Sequence, residues 1–238
     1  MKLFKKIVKR FLPGKKNKPI KQYHKISFSQ CGEDLLVDYI FNLRGINKPS
    51  YIDIGANAPF FLNNTNIFYQ RGCRGINIDA NPNCIERFKK ERPEDVNLAV
   101  GIGSENSNKI FYVMNDSTLS TFSEVEYQKY LKTGKYKLVE KKLIKITTLQ
   151  EVLSIYNKGL FPDFLSIDVE GLDFEIIKSI NFAESSPKII CIEAAEYSPI
   201  GSGERRNEII NFLEQNDYYE YANTNLNAIM VKRDFWFI

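Results

Sequence analysis

Four short stretches hold the residues best suited to chemistry. Asp53-Ile54-Gly55-Ala56-Asn57 ends the apolar run Tyr51–Ile54 with a turn, and Asn77-Ile78-Asp79-Ala80-Asn81-Pro82 ends a second run in an acid. Ser166-Ile167-Asp168-Val169-Glu170-Gly171 ends a third, and Glu193 closes a fourth. An acid just past a strand can bind the hydroxyls or ammonium of a ligand, since each carboxylate offers two accepting oxygens. The dinucleotide fingerprint would require glycines at 57 and 60, where the chain has Asn57 and Phe60. The pyrophosphate cradle is absent, which argues against a nicotinamide oxidoreductase.

Asp79 is placed to take the two hydroxyls of a ribose, and Asp53 to meet an ammonium directly or through water. Ribose plus amino-acid group without pyrophosphate describes S-adenosylmethionine (SAM). Methyl transfer to a hydroxyl then needs a base or a metal to take up the proton. His24 is the single histidine and lies upstream of the strands. The candidates are therefore Asp168, Glu170 and Glu193, with Glu196 and Tyr197 on the following loop. Asp168 could instead cap the next helix, and Glu170 could be a first-turn acid. Clustered carboxylates also suit Mg²⁺, but a metal-free site is the expectation. Zinc lacks ligands, because Cys31, Cys73, Cys84 and Cys191 are far apart with no C-x-x-C pair.

The elements that position these residues alternate regularly. Strands are predicted at Tyr51–Ile54, Gly75–Ile78, Val96–Val100, Phe164–Ile167 and Ile189–Glu193. Helices are predicted at Asp34–Leu43, near Asn66–Arg71, and at Pro82–Glu91, Leu149–Tyr156, Leu172–Ile180 and Glu204–Gln215. This order predicts an α/β fold, a doubly wound and mostly parallel sheet covered on both faces. Residues 101–146 break the rhythm with β-like Lys109–Met114 and Leu138–Ile146 around helical Glu124–Leu131, and read as an insertion over the sheet's edge. Tyr218–Ala222 and Ala228–Val231 around an Asn-rich turn read as an antiparallel hairpin.

These stretches, together with Ser117-Thr118-Leu119-Ser120-Thr121 and the upstream Ser29-Gln30-Cys31-Gly32-Glu33-Asp34, resemble the FkbM family of class I methyltransferases over about residues 28–232. The resemblance implies a Rossmann-like seven-stranded sheet with an antiparallel final hairpin and SAM as donor. It also implies an O-methylated acceptor in glycan, lipid or natural-product pathways. Asp53, Gly55, Asn57 and Asp79 fall on its cofactor motifs, and Ala99-Val100 where such folds approach the adenine. Asp168 falls at the usual junction of cofactor and acceptor. A noncatalytic glycan-binding or scaffold protein on the same fold is the alternative.

Charge divides the chain. Its net +4 is +10 on residues 1–25 and −6 on the rest, which removes most of the electrostatic case for a nucleic-acid-binding domain, since phosphate binding needs a basic face on the folded part. Residues 1–27 read as a tail and 28–238 as one domain. Within the tail, Leu3, Phe4, Ile7, Val8, Phe11 and Leu12 lie at helical spacing opposite lysines, before Pro13 and Gly14. This pattern suits an anionic membrane surface, and no run approaches the roughly 18 apolar residues needed to span one. Buried, unpaired cysteines are expected in a reducing compartment, so a cytoplasmic protein is anticipated, on the membrane's inner face if the tail docks there.

Overall fold

The structure is a computed structural model that describes residues 24–195 and 203–237. The expected helix over residues 2–12 and the candidates Glu196 and Tyr197 lie outside the described residues. The elements run α1 (Glu33–Leu43), β1 (Tyr51–Ile54), α2 (Asn66–Gln70), β2 (Gly75–Ile78), α3 (Pro82–Glu91) and β3 (Val96–Leu98). Then follow β4 (Gly101–Gly103), β5 (Ser107–Met114), a 3₁₀ turn at Ser117–Leu119, α4 (Glu124–Lys132), β6 (Leu138–Thr148) and α5 (Leu149–Tyr156). The chain closes with β7 (Phe164–Ile167), α6 (Asp173–Lys178), β8 (Ile189–Glu193), α7 (Asn207–Gln215), β9 (Tyr218–Asn223), β10 (Asn227–Lys232) and α8 (Arg233–Trp236).

Seven strands form the main sheet in the order β3-β2-β1-β7-β8-β10-β9. The first five are parallel, and β10 reverses against both β8 and β9. β1, β7 and most of β8 are buried on both faces, which is why they read as continuous apolar runs rather than alternating ones. Ile52 and Ile54 point toward α5, α6 and α7, where Leu153, Ile176 and Leu213 close that layer. On the other face Tyr51, Phe164 and Ile189 meet Val37 and Phe41 of α1 and Phe68 of α2.

Local capping sets several helix starts. Asn81 accepts from the Asn83 amide with Pro82 at the first helical position, Ser123 accepts from the Glu126 amide, and Thr148 from the Glu151 amide. Of the expected boundaries that shift, two lie beside the cleft. The third strand ends at Leu98 instead of Val100, and the chain re-enters at Gly101 as β4 of a second sheet, ordered β4-β6-β5. A Cβ on Gly101 would come within 2.5 Å of Ile146 and 2.7 Å of Phe122, so the glycine lets β4 lie this close. α7 starts at Asn207 rather than Glu204, because Arg205 bridges Ala195 and the Arg206 amide donates to the Ala194 carbonyl. The backbone there is still paired with the residues just past β8.

Candidate active site

In this sheet the chain runs outward from β1 to β2 and β3, then returns to the other side of β1 at β7, which places the switch point between β1 and β7. A cleft of about 280 Å³ opens there, beyond the carboxyl ends of β1, β2, β7 and β8. The loops after β1 and β7 meet at its floor. Gly55, at φ +83°, sits so close to Asp168 that an added Cβ would lie 1.7 Å from the Asp168 carbonyl oxygen. Its Cβ position is taken up by the neighbouring loop, and Gly55 itself lines the cleft.

Asp79 lies on the cleft wall with both oxygens engaged. Oδ2 accepts from the Asn57 amide at 2.8 Å and Oδ1 from the Asn81 amide at 2.7 Å. Each oxygen retains a second lone pair. Burial pushes the Asp79 carboxyl up to about 6 against these two hydrogen bonds. Asn57 takes up the left-handed conformation, at φ 49°, that brings its amide to Asp79, and its Oδ1 accepts from Ser117 at 2.8 Å. A carboxylate with spare acceptor sites beside apolar Ile78, Val100 and Phe111 fits the ribose and base of a nucleoside such as SAM carries.

Asp53 and Ala99 do not reach the cleft. Asp53 is buried behind it, its Oδ2 accepting from Asn63 and Thr65, both at 3.1 Å. Asn63 and Thr65 in turn take hydrogen bonds from Arg92, which is wholly buried and also bonds Asp95 and the Tyr51 hydroxyl. Burial raises the Asp53 carboxyl despite the nearby guanidinium. Asp53 therefore braces the strand end, and the ammonium role expected of it has no direct contact here. Ala99 is exposed, and its neighbours Val100 and Gly101 line the cleft in its place, because β3 ends early and turns the chain inward.

Asp168, Glu170 and Glu193 come together, each offering a carboxylate oxygen within 4.8 Å of the others. Asp168 opens to the cleft and has protein on its other sides. Burial and the adjacent Asp173 push it up to about 7, and burial and Asp168 push Glu170 up to about 8. Burial and the same neighbours raise Glu193 well above the carboxylate range, against the pull of Arg206 at 3.6 Å. Arg206 also pairs with Asp173, which accepts from the Val169 and Gly171 amides and so holds the loop between β7 and α6. Three like charges so close share protons rather than all ionise.

Two contributors come from the insertion, Thr121 from the polar stretch 117–121 and Tyr130, which gave no signal in the sequence. Tyr130 of α4 donates to Glu170 Oε2 at 2.5 Å, and Thr121 Oγ1 donates to the Glu170 carbonyl at 2.9 Å, so residues of the insertion hold the loop that follows β7. Gln30, Leu226 and Asn227 complete the rim from the two ends of the chain.

A doubly wound sheet with a reversed β10 and an acid-lined cleft at its switch point is the Rossmann-like fold of methyltransferases. A model of the methyltransferase FkbM domain matches residues 53–219, and the chain belongs to that family. None of the curated proteins matches the chain.

Proposed function

We propose that this protein uses SAM to methylate a hydroxyl on a glycan, a lipid-linked sugar or a related metabolite. The observation that carries the reading is Asp79, an acid with free lone pairs on the cleft wall, facing a space shared with Asp168. When bound, SAM supplies a methyl group on a positively charged sulfur and is left as a neutral thioether. The residues of this chain then have two tasks, to align the acceptor and to receive its proton. Asp168 suits the second best. Glu170 is tied to Tyr130 and Glu193 is paired with Arg206, whereas Asp168 faces the cleft with a carboxyl near neutrality. Asp79 and Asn57 hold the nucleoside end, with Asp53 acting from behind the wall. The four cysteines carry no disulfide, which supports a reducing, cytoplasmic setting. Among the described residues no helix is long and apolar enough to cross a membrane.

Titration calorimetry tests the donor. The native protein is expected to bind SAM, and Asp79→Ala to weaken that binding roughly 10- to 150-fold, the worth of a charge-assisted hydrogen bond. No SAM binding by the native chain ends the enzyme reading, and unchanged affinity in the variant ends the Asp79 assignment.

A further inference from the structure

The sheet β4-β6-β5 has two unlike faces. In its antiparallel pair, directly opposed residues share a face, and the registers are Asn108 with Lys145, Ile110 with Leu143, and Tyr112 with Lys141. The alternate residues point the other way. Of those, Phe111 lines the cleft, and Phe111, Val113 and Ile144 pack with Phe122 and Ala80.

The outer face is only half covered. Over Tyr112 it is capped by α4, whose Tyr127 ring stacks on Tyr112 at 4.0 Å between centroids. Lys141 holds its ammonium 5.1 Å from the Tyr112 ring centre and 5.6 Å from that of Tyr127, at the border of the covered part. Beyond it, the cross-strand pair Ile110 and Leu143 has 48% and 72% of its surface open, flanked by exposed Lys145. Two large aliphatic side chains placed side by side on a bare strand pair do nothing for the core. The stretch 129–145 carries seven lysines against the single Glu140, in a domain whose net charge outside the tail is negative.

We propose that this outer face is a docking surface for an anionic lipid bilayer. Aliphatic side chains set among lysines are the chemistry of an interfacial site: Leu143 and Ile110 enter the headgroup boundary, and Lys141 and Lys145 meet lipid phosphates while their stems stay in apolar contact. A soluble anionic ligand would use the lysines but would leave Leu143 and Ile110 in water. The arrangement places the membrane against the back of a sheet whose front lines the cleft. The face is distinct from residues 1–25, and the inference does not depend on the identity of the methyl donor or acceptor.

The test is sedimentation of the full-length protein with vesicles of phosphatidylglycerol and phosphatidylcholine, and with phosphatidylcholine alone, at low and high salt. The native protein should pellet with the anionic vesicles and be released by salt. Lys141→Glu combined with Lys145→Glu, and separately Leu143→Asp, should each weaken partitioning about tenfold or more. Leu160→Asp, which changes an exposed leucine outside this sheet, should bind like the native chain, and all variants should melt normally. Loss of binding on charge reversal but not in Leu143→Asp reduces the contact to long-range charge attraction without insertion of the aliphatic pair and overturns the proposal. Native-like binding by both variants leaves the bilayer contact to residues 1–25 and overturns it too. Equal binding to neutral vesicles, or none to anionic ones, has the same effect.

Discussion

Asp168, Glu170 and Glu193 hold fewer than three negative charges at neutral pH, because desolvation raises all three, Asp173 raises each of them, and Asp168 raises both glutamates. This has a consequence for stability with a definite sign. In the unfolded chain these groups release protons near the ordinary 3.8 and 4.5, whereas the folded state keeps them on Asp168 to about 7 and on Glu170 to about 8. Between those limits the folded state binds more protons, so the contribution is complete below about pH 4 and is lost as pH rises through 7 to 8. Urea denaturation from about pH 5 to about pH 8.5 should show falling stability, and Asp168→Asn should flatten that slope. The same substitution should lower turnover roughly 10²–10⁴-fold with little change in SAM affinity, as measured with labelled SAM once an acceptor fraction is in hand. A variant with full turnover would show that proton removal does not depend on Asp168.

The loops after β1 and β7 behave as one piece because Gly55 allows the Asp168 carbonyl to pack where a side chain would be. Gly55→Ala combines a positive φ with a steric conflict against backbone, so about 3 kcal/mol or more of destabilisation is expected. For a domain of this length that is a fall in Tm of roughly 6–12 °C, with SAM binding weakened as well. Gly159→Ala is the control, because Gly159 has a similar φ of +78° but nothing within 4 Å of its Cβ position. It should cost only about 1 kcal/mol. Calorimetric melting of the two variants separates local clash from backbone preference.

These elements also mark how far the sequence could be read. β1, β2, β7 and β8 were legible to the residue, since strands buried on both faces write themselves as apolar runs between turn residues. Asp79 and Asp168 were legible because a strand-end acid is a local signal. Asp53 was not, since whether an acid faces the cleft or the interior depends on Arg92, Asn63 and Thr65, which come from two other loops. Tyr130 was invisible for the same reason: its hydroxyl meets Glu170 across 40 positions of sequence. Ala99 was misplaced by a strand end, where two glycines redirect the chain into another sheet.

The two ends of the described chain meet beside the cleft. Glu33, at the start of α1, is fully buried, and its Oε1 accepts from Thr224 and Asn227, each at 2.9 Å, while Oε2 accepts from the Cys31 amide at 2.8 Å. Burial alone would raise this carboxyl, but the hydrogen bonds from Asn227, Cys31 and Thr224 outweigh it and hold the group below its usual value. Both partner segments lie outside the matched residues 53–219, so the clasp joins the family domain's flanks to each other. Glu33→Ala strands three donors and should cost about 2–3 kcal/mol, read as a Tm lower by roughly 4–12 °C. A variant that melts like the native chain would show that the two ends hold without this contact.

The strand order has one more consequence, measured in seconds rather than kilocalories. β1 lies between β2, which follows soon after it, and β7, whose approach is marked by the bond from the Ser50 amide to Asp163, 113 residues away. At about 5–20 residues per second of synthesis, one edge of β1 waits roughly 6–23 s before its second neighbour exists. During that interval Tyr51–Ile54, buried on both sides in the finished protein, presents open hydrogen-bonding groups and apolar side chains to whatever is near. The chain half made is thus at its most adhesive along the strand that later carries the cleft, and the arrival of β7 both closes that edge and brings Asp168 to Gly55.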